Sequence, residues 1–122
     1  MEKFERTIRY ISLYNIYKDL LTHTQIDIAG DYFLADLSLS EIAEDRNISR
    51  SAVEDAIKKS CAKLDEFEAK MHLLEKKERL VKLTSKLKQK ALNTTEIKEL
   101  EEIEKELEYG IWKLNWKAFS NL

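Results

Sequence analysis

Proline is absent, and glycine occurs only at Gly30 and Gly110. Sheet-rich domains lean on these two residues at their turns, so their scarcity argues against an all-β fold and for an all-α one. Cysteine is as scarce. Cys61 stands alone, which excludes an intrachain disulfide and fits a reducing cytoplasm. No apolar run approaches the roughly 20 residues that a membrane span needs. The opening stretch, MEKFERTIRY, is charged and has no apolar h-region, so it does not read as a signal peptide. His23 and His72 are the only histidines, and neither falls in a metal-ligand spacing. Two separated glycines leave no phosphate-cradling loop. The carboxylates are spread along the helices, and no pair stands out as acid and base. The reading is a protein without catalysis, cofactor or metal.

Apolar side chains are plentiful. The chain has 122 residues, and 43% of them are hydrophobic, enough for a core. The charged fraction of 36% calls for long solvated helix faces. The net charge of −2 speaks against a strongly electrostatic nucleic-acid binder, but it conceals segregation. Seven bases (Lys76, Lys77, Arg79, Lys82, Lys86, Lys88 and Lys90) stand against Glu78 alone over residues 76–90. Seven glutamates stand against Lys98 and Lys105 over residues 96–108. Joined at Asn93-Thr94-Thr95, the two blocks can neutralise each other as an antiparallel hairpin. In the other reading, the basic block stays free for phosphate.

Spacings of three and four set out the helices. Phe4, Ile8, Ile11, Tyr14, Tyr17 and Leu21 make one stripe over about residues 2–21. Thr22 three before Gln25, and Ser38 three before Glu41, are capping boxes that open the next two helices. The second helix carries Ile26, Ala29 and Phe33 inward and reaches about Asp36. The third turns Leu39, Ile42 and Ala43 inward. Asn47-Ile48-Ser49 interrupts the pattern, with Asn47 suited to left-handed backbone and Ser49 suited to an N-cap. A fourth helix starts at Arg50 with Val53, Ile57 and Leu64 inward. No glycine or proline stops it before about residue 91, which predicts one helix of about 60 Å or a kink near Cys61-Ala62. A last helix begins near Thr95, with Ile97, Leu100, Ile103, Leu107, Ile111 and Leu114 at helical spacing. Tyr109, Trp112, Trp116 and Phe119 cluster at its end, as core, dimer contact or partner site.

Residues 37–64 have the spacing of a helix-turn-helix. Ile42, Ala43, Ile48, Val53 and Ile57 form its expected hub, and small Ala43 lets the two helices cross closely. The outward face of the second helix is then Arg50, Ser51, Glu54, Asp55, Lys58 and Lys59. Its N-terminal residues are the ones that meet base edges in such a module, so Ser49, Arg50, Ser51, Glu54, Lys58 and Lys59 are the candidate nucleic-acid contacts. Arg50 can read guanine, and Ser51 can contact a base or phosphate; Glu54 can accept from cytosine, but with Asp55 it more readily repels the backbone. Lys58 and Lys59 can neutralise phosphates. The plainer alternative is that Ser49 is only a cap and that the lysines pair with Glu54 and Asp55 four residues away. RNA is a weaker fit, because the module carries no stacked-aromatic platform.

The sequence resembles the YlxM-type helix-turn-helix proteins of bacteria, which share the helix-turn-helix of sigma factor region four. The residues that carry the likeness are Glu5-Arg6-Thr7, Leu13-Tyr14, Leu20-Leu21-Thr22 and Gln25. They continue with Asp36-Leu37-Ser38-Leu39, Glu41-Ile42-Ala43-Glu44, Ile48-Ser49-Arg50, Ala52-Val53, Ile57-Lys58, Leu64 and Leu74-Glu75-Lys76. The likeness covers about residues 5–78. Ser51 and Glu54 depart from the family pattern. The resemblance implies a small cytoplasmic regulator linked to the signal recognition particle pathway, with DNA, or an RNA or protein of that pathway, as its partner. The expected architecture is a tri-helical helix-turn-helix core over residues 1–70 and a long helical arm or hairpin over residues 71–122. A homodimer through Leu73, Leu80, Leu87 and the terminal aromatics completes it. The alternative is an interaction adaptor that docks through the basic helix or the Trp112–Trp116 end.

Overall fold

The computed structural model describes residues 2–91 and 93–110, the last two by their backbone alone. The expectations placed on Ile111, Trp112, Leu114, Trp116 and Phe119, and on the ring of Tyr109, lie outside the described residues. The chain is all-α, and it packs as two compact units, Met1–Met71 and His72–Leu122.

In the first unit, α1 (Glu2–Tyr17) ends in a 3-10 turn, Lys18–Leu20. It is followed by α2 (His23–Phe33), α3 (Leu39–Arg46) and α4 (Arg50–Met71). Both capping boxes form. The N–H of Gln25 donates to Thr22 Oγ1 at 3.2 Å, and that of Glu41 donates to Ser38 Oγ at 3.1 Å. The Gln25 and Glu41 side chains return the bond to the cap N–H groups. The periodicity of α1 is read less well. Phe4 is 67% and Ile8 is 47% exposed, while Leu13 and Ile16 join Tyr14 and Tyr17 in the core. Only the C-terminal half of α1 meets enough neighbouring helix to bury its stripe. α2 ends at Phe33, short of Asp36, which sits in left-handed backbone at φ 55°.

α4 packs against α1, α2 and α3. Val53, Ile57 and Leu64 line its inner face as the sequence places them. The hub is Ile28, Ile42, Ala43, Val53 and Ile57. Each buried aliphatic there contributes roughly 1.5–3 kcal/mol from apolar burial. Ile28 occupies the place that the sequence gives to Ile48, which is 39% exposed at the end of the turn. Three tyrosines of α1 add hydrogen bonds. Tyr10 Oη donates to Asp65 and Tyr17 Oη donates to buried Glu68, both at 2.7 Å, and Tyr14 Oη donates to the Ile26 carbonyl at 2.8 Å.

The long helix is broken, but not near Cys61-Ala62, where α4 continues without interruption. The break is at His72, whose φ of 54° is left-handed. Beyond the break, Leu74 and Thr84 are buried within the second unit and Val81 is half-buried there.

In the second unit, α5 (Leu73–Lys90) packs against α6 (Thr94–Lys105), and a π-helical turn, Glu106–Gly110, follows. Asn93 Oδ1 caps α6 by accepting from the Glu96 N–H at 2.9 Å. Lys77 pairs with Glu108 at 3.3 Å, and Lys88 pairs with Glu101 and Glu104 at 3.5 and 3.4 Å. Later residues of α5 pair with earlier residues of α6, as in an antiparallel hairpin. Among the described residues, two of the seven bases are engaged in this way.

Candidate nucleic-acid interface

The turn between α3 and α4 is built by two residues. Asn47 takes left-handed backbone at φ 54° and ψ 46°. The Ile48 N–H then reaches the Ala43 carbonyl at 3.0 Å and the Asn47 N–H reaches that of Glu44 at 3.3 Å, a Schellman closure of α3. Ser49 Oγ accepts the Ala52 N–H at 3.0 Å and caps α4. Arg46 fixes α3 to α2, its Nε and Nη2 both donating to Asp31 Oδ2 at 2.8 Å. With Val53 and Ile57 held in the hub and Ala56 packed against it, the other residues of the first two turns of α4 point outward.

Ser49, Arg50, Ser51, Glu54, Lys58 and Lys59 are all exposed. Arg50 and Ser51 stand at the positive end of the helix dipole, where anions are favoured. Lys58 Nζ lies 3.3 Å from Glu54, and Lys59 Nζ lies 2.9 Å from Asp55. The four-residue pairing is therefore present, and it ties up both acids of the face. Such exposed pairs are worth about 0–1 kcal/mol, so an approaching phosphate competes with them at little cost.

Beside this face, α1, α2 and α4 enclose a groove of about 420 Å³. Lys3, Arg6 and Lys58 are among its lining residues. The Arg6 guanidinium lies 5.9 Å from the Tyr10 ring centre, Tyr10 stacks on Phe33 at 5.9 Å, and Tyr32 meets Phe33 edge-on at 5.1 Å. Neither the two α1 cations nor the aromatic cluster is foreseen from the sequence. More than fifty residues separate Arg6 from Lys58 in the chain, so no local pattern joins them. Cys61, also in this groove, has its thiol pushed up to about 11, first by burial and then by Asp65, against the pull of Arg6. It is a core-edge thiol rather than a nucleophile. Among the described residues, no group of three or more His, Cys, Asp or Glu is placed to hold a metal ion. No helix there is long and apolar enough to cross a membrane.

A short capped helix, a left-handed turn and a second helix with a free N-terminal face define a helix-turn-helix protein. The chain belongs to the family described as "Putative helix-turn-helix protein, YlxM / p13 like", whose model matches residues 4–104. It is similar to the UPF0122 proteins of Bacillus cereus (strain AH187), Bacillus anthracis (strain A0248) and Bacillus thuringiensis subsp. konkukian (strain 97-27). Each is 46% identical over 85 residues, which is 70% of this chain and 77% of the relative.

Proposed function

We propose that the protein is a cytoplasmic, non-catalytic regulator that binds duplex DNA through the N-terminal half of α4. The observation that carries this reading is the exposed row of Arg50, Ser51 and Lys58 on a capped helix held by the Ile42–Val53 hub. Arg50 is the base-reading residue, with guanine as its partner. Ser51 and Lys59 contact the backbone with Lys58, and Glu54 accepts from cytosine once Lys58 has turned to phosphate. Ser49 keeps the helix end in place. In this reading, residues 1–70 bind DNA and residues 71–122 pair two copies, which sets two half-sites about 34 Å or a multiple of it apart. The family likeness supports a link to the signal recognition particle pathway. Replacing Arg50→Ala together with Lys58→Ala weakens DNA binding and flattens its salt dependence by roughly one or two units of slope. Unchanged retention and slope defeat the reading.

A second reading has its own support. Glu54 and Asp55 hold both lysines of the face, which suits an adaptor that docks to an RNA or protein of the secretion-targeting machinery. Side-by-side binding to duplex DNA and to structured RNA separates the two readings.

A further inference from the structure

The hairpin uses only part of its apolar and charged surface. Leu80, Leu83 and Leu87 follow each other at spacings of three and four on α5, and they are 43%, 46% and 56% exposed. Ile103 on α6 is 49% exposed. Leu87 and Ile103, one from each helix, open with Leu100 and Ala91 onto a common groove of about 340 Å³. These residues therefore share one face of the hairpin. Its two edges differ in sign. Arg79, Lys86 and Lys90 lie three or four residues from Leu83 or Leu87, and none makes an ion pair among the described residues. Glu99 on α6 and Glu106 at the start of the π-helical turn flank Ile103 in the same way, and they too make none there. The hairpin's own bridges run through Lys77 and Lys88 instead.

We infer that this face is covered by the same face of a second copy, with α5 of one copy lying antiparallel on α6 of the other in a four-helix bundle. The inference rests on the homodimer reading above and adds which helix meets which. A two-fold axis along the helices sets each basic edge over the partner's acidic edge, at both seams. A two-fold axis across them sets α5 on α5 and brings Arg79 and Lys86 against their own copies. The leucines supply the association, and the exposed charges choose between the two orientations.

The test is sedimentation of the full chain at low salt, with circular dichroism confirming helicity. Arg79→Glu with Lys86→Glu, and separately Glu99→Lys with Glu106→Lys, each weaken self-association roughly tenfold or more. All four changes in one chain restore it, and so does mixing the two double variants. A full chain that stays monomeric has its face covered from within or not at all, and it overturns both this inference and the homodimer reading. A dimer that the two glutamate changes leave untouched overturns the inference alone, because with α5 on α5 those glutamates meet only their own copies and reversing both keeps like charge against like.

Discussion

Gly30 sits in the middle of α2, where glycine costs about 0.8–1.0 kcal/mol relative to alanine. The position is explained by Tyr14. A Cβ on Gly30 would lie 2.7 Å from Tyr14 Oη, which donates to the Ile26 carbonyl. Tyr14 is 4% exposed and has little room to swing away. Gly30→Ala is expected to lose about 1 kcal/mol net as the hydrogen bond is displaced. In a Tyr14→Phe background the same change becomes neutral or stabilising, because the obstructing oxygen is gone. Urea unfolding of the four variants measures this coupling. Cys61 gives a second residue-scale outcome. Its thiol titrates near 11 in place of 9.0, so the folded chain holds roughly a hundredfold less thiolate at neutral pH than the unfolded chain. Alkylation by iodoacetamide should be correspondingly slow in the folded state and climb with pH toward 11. The folded thiol holds its proton more tightly than the unfolded one. Its contribution to stability is therefore complete below pH 9 and is lost as pH rises from there toward 11.

Helix ends divide into those that the sequence declares and those that it does not. Thr22, Ser38, Asn47 and Ser49 act on backbone groups within five residues, so their patterns can be read directly. The break at His72 has no such signature. A non-glycine residue there bears left-handed backbone, and its Nδ1 lies 3.2 Å from Glu75 Oε2. Left-handed backbone costs a side-chain-bearing residue roughly 1–2 kcal/mol, and most for a β-branched one. His72→Val should lower stability by about that much, whereas His72→Gly should keep or raise it. Urea denaturation followed by circular dichroism reads the difference. If valine is tolerated as well as glycine, α4 and α5 do not need the break. Ile48 and Ile28 show the same limit at the hub. The spacing points to Ile48 and passes over Ile28, and only the packing of α2 on α4 brings Ile28 into the hub.

At the scale of the whole chain, the helix-turn-helix and the antiparallel hairpin were legible because each joins neighbours in sequence. The setting of the candidate site was not. Lys3 and Arg6 reach the flank of Lys58 only because three tyrosines dock α1 on its neighbours, through Asp65 and Glu68 of α4 and the Ile26 carbonyl of α2. The extra cations should strengthen any polyanion contact without adding sequence preference. Lys3→Ala with Arg6→Ala is therefore expected to lower affinity for specific and unrelated duplexes alike, as competition binding would report. Selective loss on one sequence would assign these residues a reading role instead.

The account stands on α4 meeting the nucleic acid with its N-terminal half. Amide chemical shifts of the full chain, followed while duplex DNA is added at low salt, test this most directly. The largest changes should fall on residues 49–59, with smaller ones at Lys3 and Arg6. Shifts confined to residues 73–90, or none at all, would contradict it.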